Sequence, residues 1–131
     1  MKRFLRPPMA APSIPGQPHG LAHGGAFKRL LIGGQIGADP SGNVPDEFEK
    51  QVELAFDSLL AVIGAAQLAA ADLTKLSAYV AVSGRLAQYN LIRDRKIGPA
   101  TPVSTYVEVA GLGDSRWLIS IEGEAIREAD L

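Results

Sequence analysis

The 131-residue chain contains no cysteine. A disulfide framework, thiolate chemistry and a cysteine-based zinc site are therefore excluded together. Charge of one sign is also lacking: 13 basic side chains face 14 acidic ones, for a net charge of −1. A dedicated nucleic-acid binder normally carries a basic stripe, and with aromatic residues at 6% no basic, aromatic-lined groove is evident. Long apolar runs are missing too. The longest, from Leu59 to Ala71, is alanine-rich and interrupted by Gln67, short of the roughly 18 residues a membrane span needs. Lys2 and Arg3 open the chain, but Arg6, Pro7 and Pro8 stop any apolar stretch of signal-peptide length. The expectation is a protein with no membrane segment, cytoplasmic by default. No Gly-x-Ser-x-Gly elbow is present to support a serine hydrolase, and no internal repeat is visible.

What the chain does have is 47% apolar residues against 21% charged, enough for a packed core, and a length that suits one domain spanning residues 1–131. Pro7, Pro8, Pro12, Pro15 and Pro18, with Gly16 and Gly20, predict an irregular N-terminal arm over residues 1–25. Phe27 to Ile32 reads as a strand, followed by Gly33-Gly34-Gln35-Ile36-Gly37 with a second short strand or bulge, then the turn Asp39-Pro40-Ser41-Gly42-Asn43. From Pro45 the period changes. Phe48, Val52, Ala55, Leu59 and Ile63 repeat at three and four residues, the mark of an amphipathic helix that frays near Gly64 to Gln67. Leu73 to Val82 predicts a strand, and Arg85 to Lys96 a shorter helix with Leu86, Tyr89 and Ile92 inward. Val103 to Val109 and Trp117 to Ala125 alternate as two closing strands. The order favours an α+β fold, a mixed sheet with both helices on one face. The second face is then bare, which predicts a homo-oligomer.

Four groups of residues bear on chemistry. The glycine-rich segment leads into an Asp-Pro turn rather than a helix, and no Lys-Ser or Lys-Thr pair follows, so it lacks the pattern of a phosphate loop. It reads either as a bulge or as a strand end whose N–H groups meet a ligand oxygen. His19 and His23 are four apart, but Pro18, Gly20 and Gly24 break the helix that would align them, and no metal site is expected. Glu122 and Glu124 share one strand face about 7 Å apart. They are either ordinary surface charges or a pair able to position and activate a water. The charges of the first half run from basic (Lys2, Arg3, Arg6, Lys28, Arg29) to acidic (Asp39 through Asp72), which reads as a strand edge beside an acidic helix face.

Together these residues resemble the RidA family, also called the YjgF or L-PSP endoribonuclease family. The likeness runs from about Pro12 to Ile126. It rests on the arm with Gly16 and Pro18, on Gly33-Gly34-Gln35-Ile36 before Asp39-Pro40-Ser41-Gly42, and on the helix from Phe48 to Ala66. Asp72-Leu73-Thr74-Lys75, Asn90, Val107-Glu108-Val109-Ala110-Gly111-Leu112 and Ile121-Glu122-Gly123-Glu124-Ala125-Ile126 continue it. The resemblance implies a chorismate-mutase-like fold, a homotrimer packed through its sheets, and small-molecule clefts at the subunit boundaries. It also implies cofactor-independent hydrolysis of enamines and imines to a keto compound and ammonia. Carried over by position, Glu122 is the catalytic residue that orders the attacking water. Gly34 offers an N–H to the substrate, Asn90 lies near the cleft, and His19 stands where many members have tyrosine. Pro102-Val103-Ser104 falls where the family has Pro-Ala-Arg, so Ser104 replaces the arginine that clamps a substrate carboxylate, and Tyr106 fills a position that is usually small. A neutral hydroxyl is the weaker partner for a carboxylate, so substrates that need no carboxylate are expected. Arg93 and Arg116 are the other cations considered for the cleft. The alternatives are a non-catalytic ligand-binding or regulatory trimer and, with least support from charge, an endoribonuclease.

Overall fold

The computed structural model describes residues 2–6, 8–9 and 20–128, without the side chains of Lys2, Leu21 and His23. His19 and most of the proline-rich arm, residues 10–19, lie outside the described residues. The arm is less irregular than its prolines predict: β1 (Lys2–Leu5) and β2 (Gly20–His23) pair as an antiparallel two-stranded sheet. Pairing gives each strand's backbone groups partners that neither segment has by itself.

The main sheet has the order β3-β6-β4-β5, built from β3 (Phe27–Ile36), β4 (Leu73–Val80), β5 (Val103–Glu108) and β6 (Ile119–Glu128). β6 runs antiparallel to both neighbours, whereas β4 and β5 are parallel. A parallel pair needs a crossover, and the crossover is α2 (Leu86–Ile97). β3 is one strand, not two: its register shifts between Ile32 and Gln35, so Gly33 and Gly34 bulge opposite Glu122.

Helix α1 (Phe48–Ala65) buries the predicted stripe, Phe48, Val52, Ala55, Phe56, Leu59 and Ile63, with Gln51 among them. It does not fray. Gln67 takes a left-handed φ of 60° and donates its N–H to the Gly64 carbonyl, while the Leu68 N–H bonds the Ile63 carbonyl and Leu68 itself is buried. This pattern of reversed hydrogen bonds with an apolar contact closes a helix C-terminus. Pro45 lies three residues before the helix, which begins at Phe48. α2 buries Tyr89, Ile92 and Ile97, but Leu86 is 48% exposed, contrary to its predicted inward position. It occupies the first turn, beside an open cavity rather than over the core. β4 also ends two residues early at Val80, before a turn in which Gly84 takes φ +75°.

Strand registers divide the sheet into two faces. Leu76, Ala78, Val80, Ile119, Ile121 and Ala125 form the buried core face under the helices. Ser104, Tyr106 and Glu108 are level with Leu76, Ala78 and Val80 and share that face. The opposite face carries Arg29, Leu31, Lys75, Ser77, Tyr79, Thr105, Val107, Ser120, Glu122 and Glu124. No helix among the described residues covers it, and Leu31 is 67% exposed.

Candidate functional site

On the open face, the pleat of β6 aims Glu122 and Glu124 the same way, as alternation predicts, but gives them different partners. Glu124 Oε2 accepts a 2.8 Å bond from Arg29 Nη2 on β3, and this ion pair pushes the Arg29 guanidinium further above its ordinary value. Glu122 Oε1 accepts a 2.6 Å hydrogen bond from the Tyr79 hydroxyl on β4. The carboxylate in turn raises the Tyr79 phenol above its usual range, first through that hydrogen bond and then through its charge. Glu122 thus has a neutral partner and Glu124 a cationic one.

The Gly33–Gly34 bulge lies across from Glu122. A bulge leaves a residue out of the ladder and turns backbone groups away from it. A Cβ built on Gly34 would come within 2.8 Å of Ser120 Oγ, a contact that rotation of the serine hydroxyl would relieve. A cavity of about 290 Å³ opens here, lined by Leu31, Gly33, Lys75, Ser77, Glu122 and Glu124.

The remaining expected site residues face the other way. Ser104 Oγ makes a long 3.3 Å bond to the Pro102 carbonyl. The Tyr106 ring packs on Tyr89 of α2, with centroids 5.1 Å apart, and Tyr89 also touches Phe56. The Tyr106 hydroxyl is buried and has no hydrogen-bond partner among the described residues. Burial, then the charge of Glu108, raises its phenol above the ordinary value. Asn90 is half-buried on α2, next to Tyr89. A second cavity, of about 360 Å³, lies between the start of α2 and β5, with Arg85, Leu86, Tyr106 and Glu108 among its walls. Glu108 Oε2 accepts the Gly84 N–H at its mouth.

The structure therefore brings Gly34 and Glu122 together, groups Ser104, Tyr106 and Asn90 on the helix side, and separates the two sets by the thickness of the sheet. His19 is outside the described residues. The two alternative arginines are both engaged. Arg93 pairs with Asp94 at 2.8 Å and lies 6.0 Å above the Tyr89 ring. Arg116 forks onto Asp114, and this contact holds the Asp114 carboxyl down at about 2. Tyr79 went unassigned in the sequence. Its signal was the alternation Lys75-x-Ser77-x-Tyr79, a polar face on an otherwise buried strand. Among the described residues no three His, Asp or Glu side chains group to hold a metal, and no helix is long and apolar enough to cross a membrane.

The molecule is thus an α+β protein with two helices on one face of a mixed four-stranded sheet, and a glycine bulge opposite a glutamate on its other face. The chain belongs to the Endoribonuclease L-PSP family, which it matches over residues 23–127. Among solved structures it is similar to the Rid-family protein YyfB of Yersinia pestis, whose function is unknown. The TM-score is 0.79 at 26% identity, over 95% of this chain and 97% of that one. RidA from an Antarctic Psychrobacter shares the fold with a TM-score of 0.71 at 21% identity, covering 94% and 98% of the two chains. So does Escherichia coli TdcF, solved with bound serine, at 0.69 and 22% over 96% and 99%. No curated protein matches the chain.

Proposed function

We propose that this protein is a cofactor-independent hydrolase of small reactive imines or enamines, working in clefts between the subunits of a homotrimer. The observation that carries the reading is Glu122, a carboxylate hydrogen-bonded to a phenol on the uncovered sheet face, opposite the glycine bulge. Water attack on a C=N carbon needs a base at the attacking oxygen. Glu122 accepts the water proton as the C–O bond forms. From a protonated imine this gives a neutral carbinolamine; Glu122 returns its proton to the nitrogen, the C–N bond breaks to release ammonia, and the carbinol hydroxyl passes its proton to solvent, leaving a carbonyl. In this reading an N–H of the Gly33–Gly34 bulge holds an oxygen of the substrate.

Ser104, Tyr106 and Asn90 complete such a site only if they come from a neighbouring copy, because within one protomer they face the helix layer. The uncovered face supplies the motive for that assembly, since Leu31 and Val107 are exposed on it. With Ser104 at the clamp position, the preferred substrates are neutral, and 2-imino acids are poor ones.

The test is ammonia release from neutral imines generated in situ. Glu122→Gln is expected to reduce kcat on the order of 100-fold or more, the usual contribution of a positioned base. Failure to accelerate any neutral imine, or an unchanged rate in Glu122→Gln, overturns the reading.

A specific observation favours a second reading, a non-catalytic binding protein: Ser104 Oγ is turned onto its own loop carbonyl and offers a substrate no charge. TdcF, with serine bound, illustrates a relative of this fold holding a small amino acid. Thermal-shift screening separates the two readings, because a ligand that binds the folded state alone stabilises it by RT ln(1 + [L]/Kd). A stabilising ligand recovered unchanged after long incubation supports binding, and a consumed one supports catalysis.

A further inference from the structure

We propose that Tyr79 is the positioning residue of the site: its hydroxyl fixes the rotamer of Glu122, so that one carboxylate oxygen is held and the other is presented to the attacking water. The inference rests on the hydrolase reading above and adds a residue that neither the sequence pattern nor the family membership assigns. Its basis is geometric. In the antiparallel β4–β6 register Ser77 pairs with Glu122 and Tyr79 with Ser120, so Tyr79 is the diagonal neighbour of Glu122 on the same face, within the reach of an aromatic side chain. The phenol crosses that diagonal and donates to Oε1 at 2.6 Å, a length typical of hydrogen bonds to an ionised acceptor. Oε1 is thereby occupied. A glutamate side chain on an uncovered strand otherwise samples several rotamers, and a base must sit within hydrogen-bond reach of the proton it takes.

Ser77 stands on the same face of β4, two residues before Tyr79 and directly opposite Glu122. Ser77 is buried and Tyr79 half-buried, so the Tyr79–Glu122 bond lies against a packed strand rather than in open solvent. The other charged side chains on that face are Lys75 on β4, Arg29 on β3, and Glu124 and Glu128 on β6, and Arg29 and Glu124 neutralise one another. A phenol suits the position because it is a neutral donor. A cation there would pair with Glu122 as Arg29 pairs with Glu124, and would reduce its ability to take a proton.

Two measurements on the full-length protein test this. In the first, the ring carbons bearing the hydroxyls of the three tyrosines are labelled and followed by NMR through alkaline titration, each signal assigned by its Tyr→Phe variant. Glu122→Gln removes the charge that holds the Tyr79 proton, and the Tyr79 transition is expected to move to lower pH while those of Tyr89 and Tyr106 stay in place. An unmoved Tyr79 signal overturns the proposal, whatever the activity. In the second, Tyr79→Phe keeps the ring and removes the hydroxyl. It is expected to lower kcat on the order of tenfold, the loss of one charge-assisted hydrogen bond, with KM unchanged. If Glu122→Gln abolishes turnover and Tyr79→Phe keeps the parent kcat, the positioning role fails and the hydrolase reading stands. If Glu122→Gln keeps full activity, the hydrolase reading itself fails.

Discussion

At the scale of single residues, the position that most constrains the fold is an amide in the middle of an apolar stripe. Gln51 is fully buried, and its side chain makes three bonds. Nε2 donates to the Pro45 carbonyl at 2.7 Å and to the Arg116 carbonyl at 2.8 Å, and Oε1 accepts the Leu118 N–H at 2.9 Å. One side chain thus joins the turn before α1 to the loop before β6. Only an amide offers two donors and an acceptor at that reach. Gln51→Leu preserves bulk and strands three backbone groups, each costing about 1–3 kcal/mol where water cannot replace the partner. A net loss of roughly 3 kcal/mol is expected in urea unfolding, allowing for partial re-solvation. A change under about 0.5 kcal/mol, the size usual for surface substitutions, would show that the loop finds other partners. The sequence carried a signal for this residue, a polar side chain flanked by Phe48, Val52 and Ala55. Periodicity places such a side chain inside without saying what it holds.

At the scale of elements, α1, α2 and the four main strands were legible because their periods of 3.6 and 2 are local properties. Pairing is not local. That Lys2–Leu5 pairs with Gly20–His23 depends on a chain reversal that proline counting cannot show. The faces of β5 were equally hidden. Val103 and Val107 look like the buried set, yet the register puts them on the open side and gives Ser104 and Tyr106 to the helix side. Gly37 shows how closely the layers meet: a Cβ there would lie 2.4 to 2.6 Å from the Cβ, Cα and carbonyl oxygen of Gln51. Two of those atoms are backbone and cannot rotate away, so Gly37→Ala must push α1 off the end of β3. It should destabilise by about 2–3 kcal/mol, the upper range for overpacking. Gly33→Ala, with nothing within 4 Å of its added carbon, serves as the control. Equal melting temperatures for the two variants would mean that the layers separate more easily than this contact implies.

At the scale of the whole molecule, the two halves of the site were each legible and their relation was not. Gly34 and Glu122 stand on one side of the sheet, with Ser104, Tyr106 and Asn90 on the other, and no property of a single chain says which copy faces which. The proposed inter-subunit cleft turns that separation into a prediction about Ser104. Ser104→Arg should restore hydrolysis of 2-iminopropanoate if the neighbouring copy's Glu122 and Gly34 frame the same cleft. The new side chain would leave β5 on the side of Tyr106 and Glu108. Tyr106 is the obstacle, since its ring is already packed on Tyr89, and Glu108, which accepts a 3.2 Å bond from the Gly84 N–H, can capture a guanidinium. The single variant is therefore expected to gain little. Tyr106→Cys removes the ring and the buried hydroxyl that lacks a partner among the described residues, so the double variant Ser104→Arg, Tyr106→Cys should gain more than the two single changes combined, as coupled neighbours do. Ammonia release by both single variants, the double variant and the parent is compared, with sedimentation confirming that each keeps the parent's assembly state. A folded double variant with the parent's assembly state but no faster than it would mean that the proposed cleft differs from the family pattern in more than its clamp.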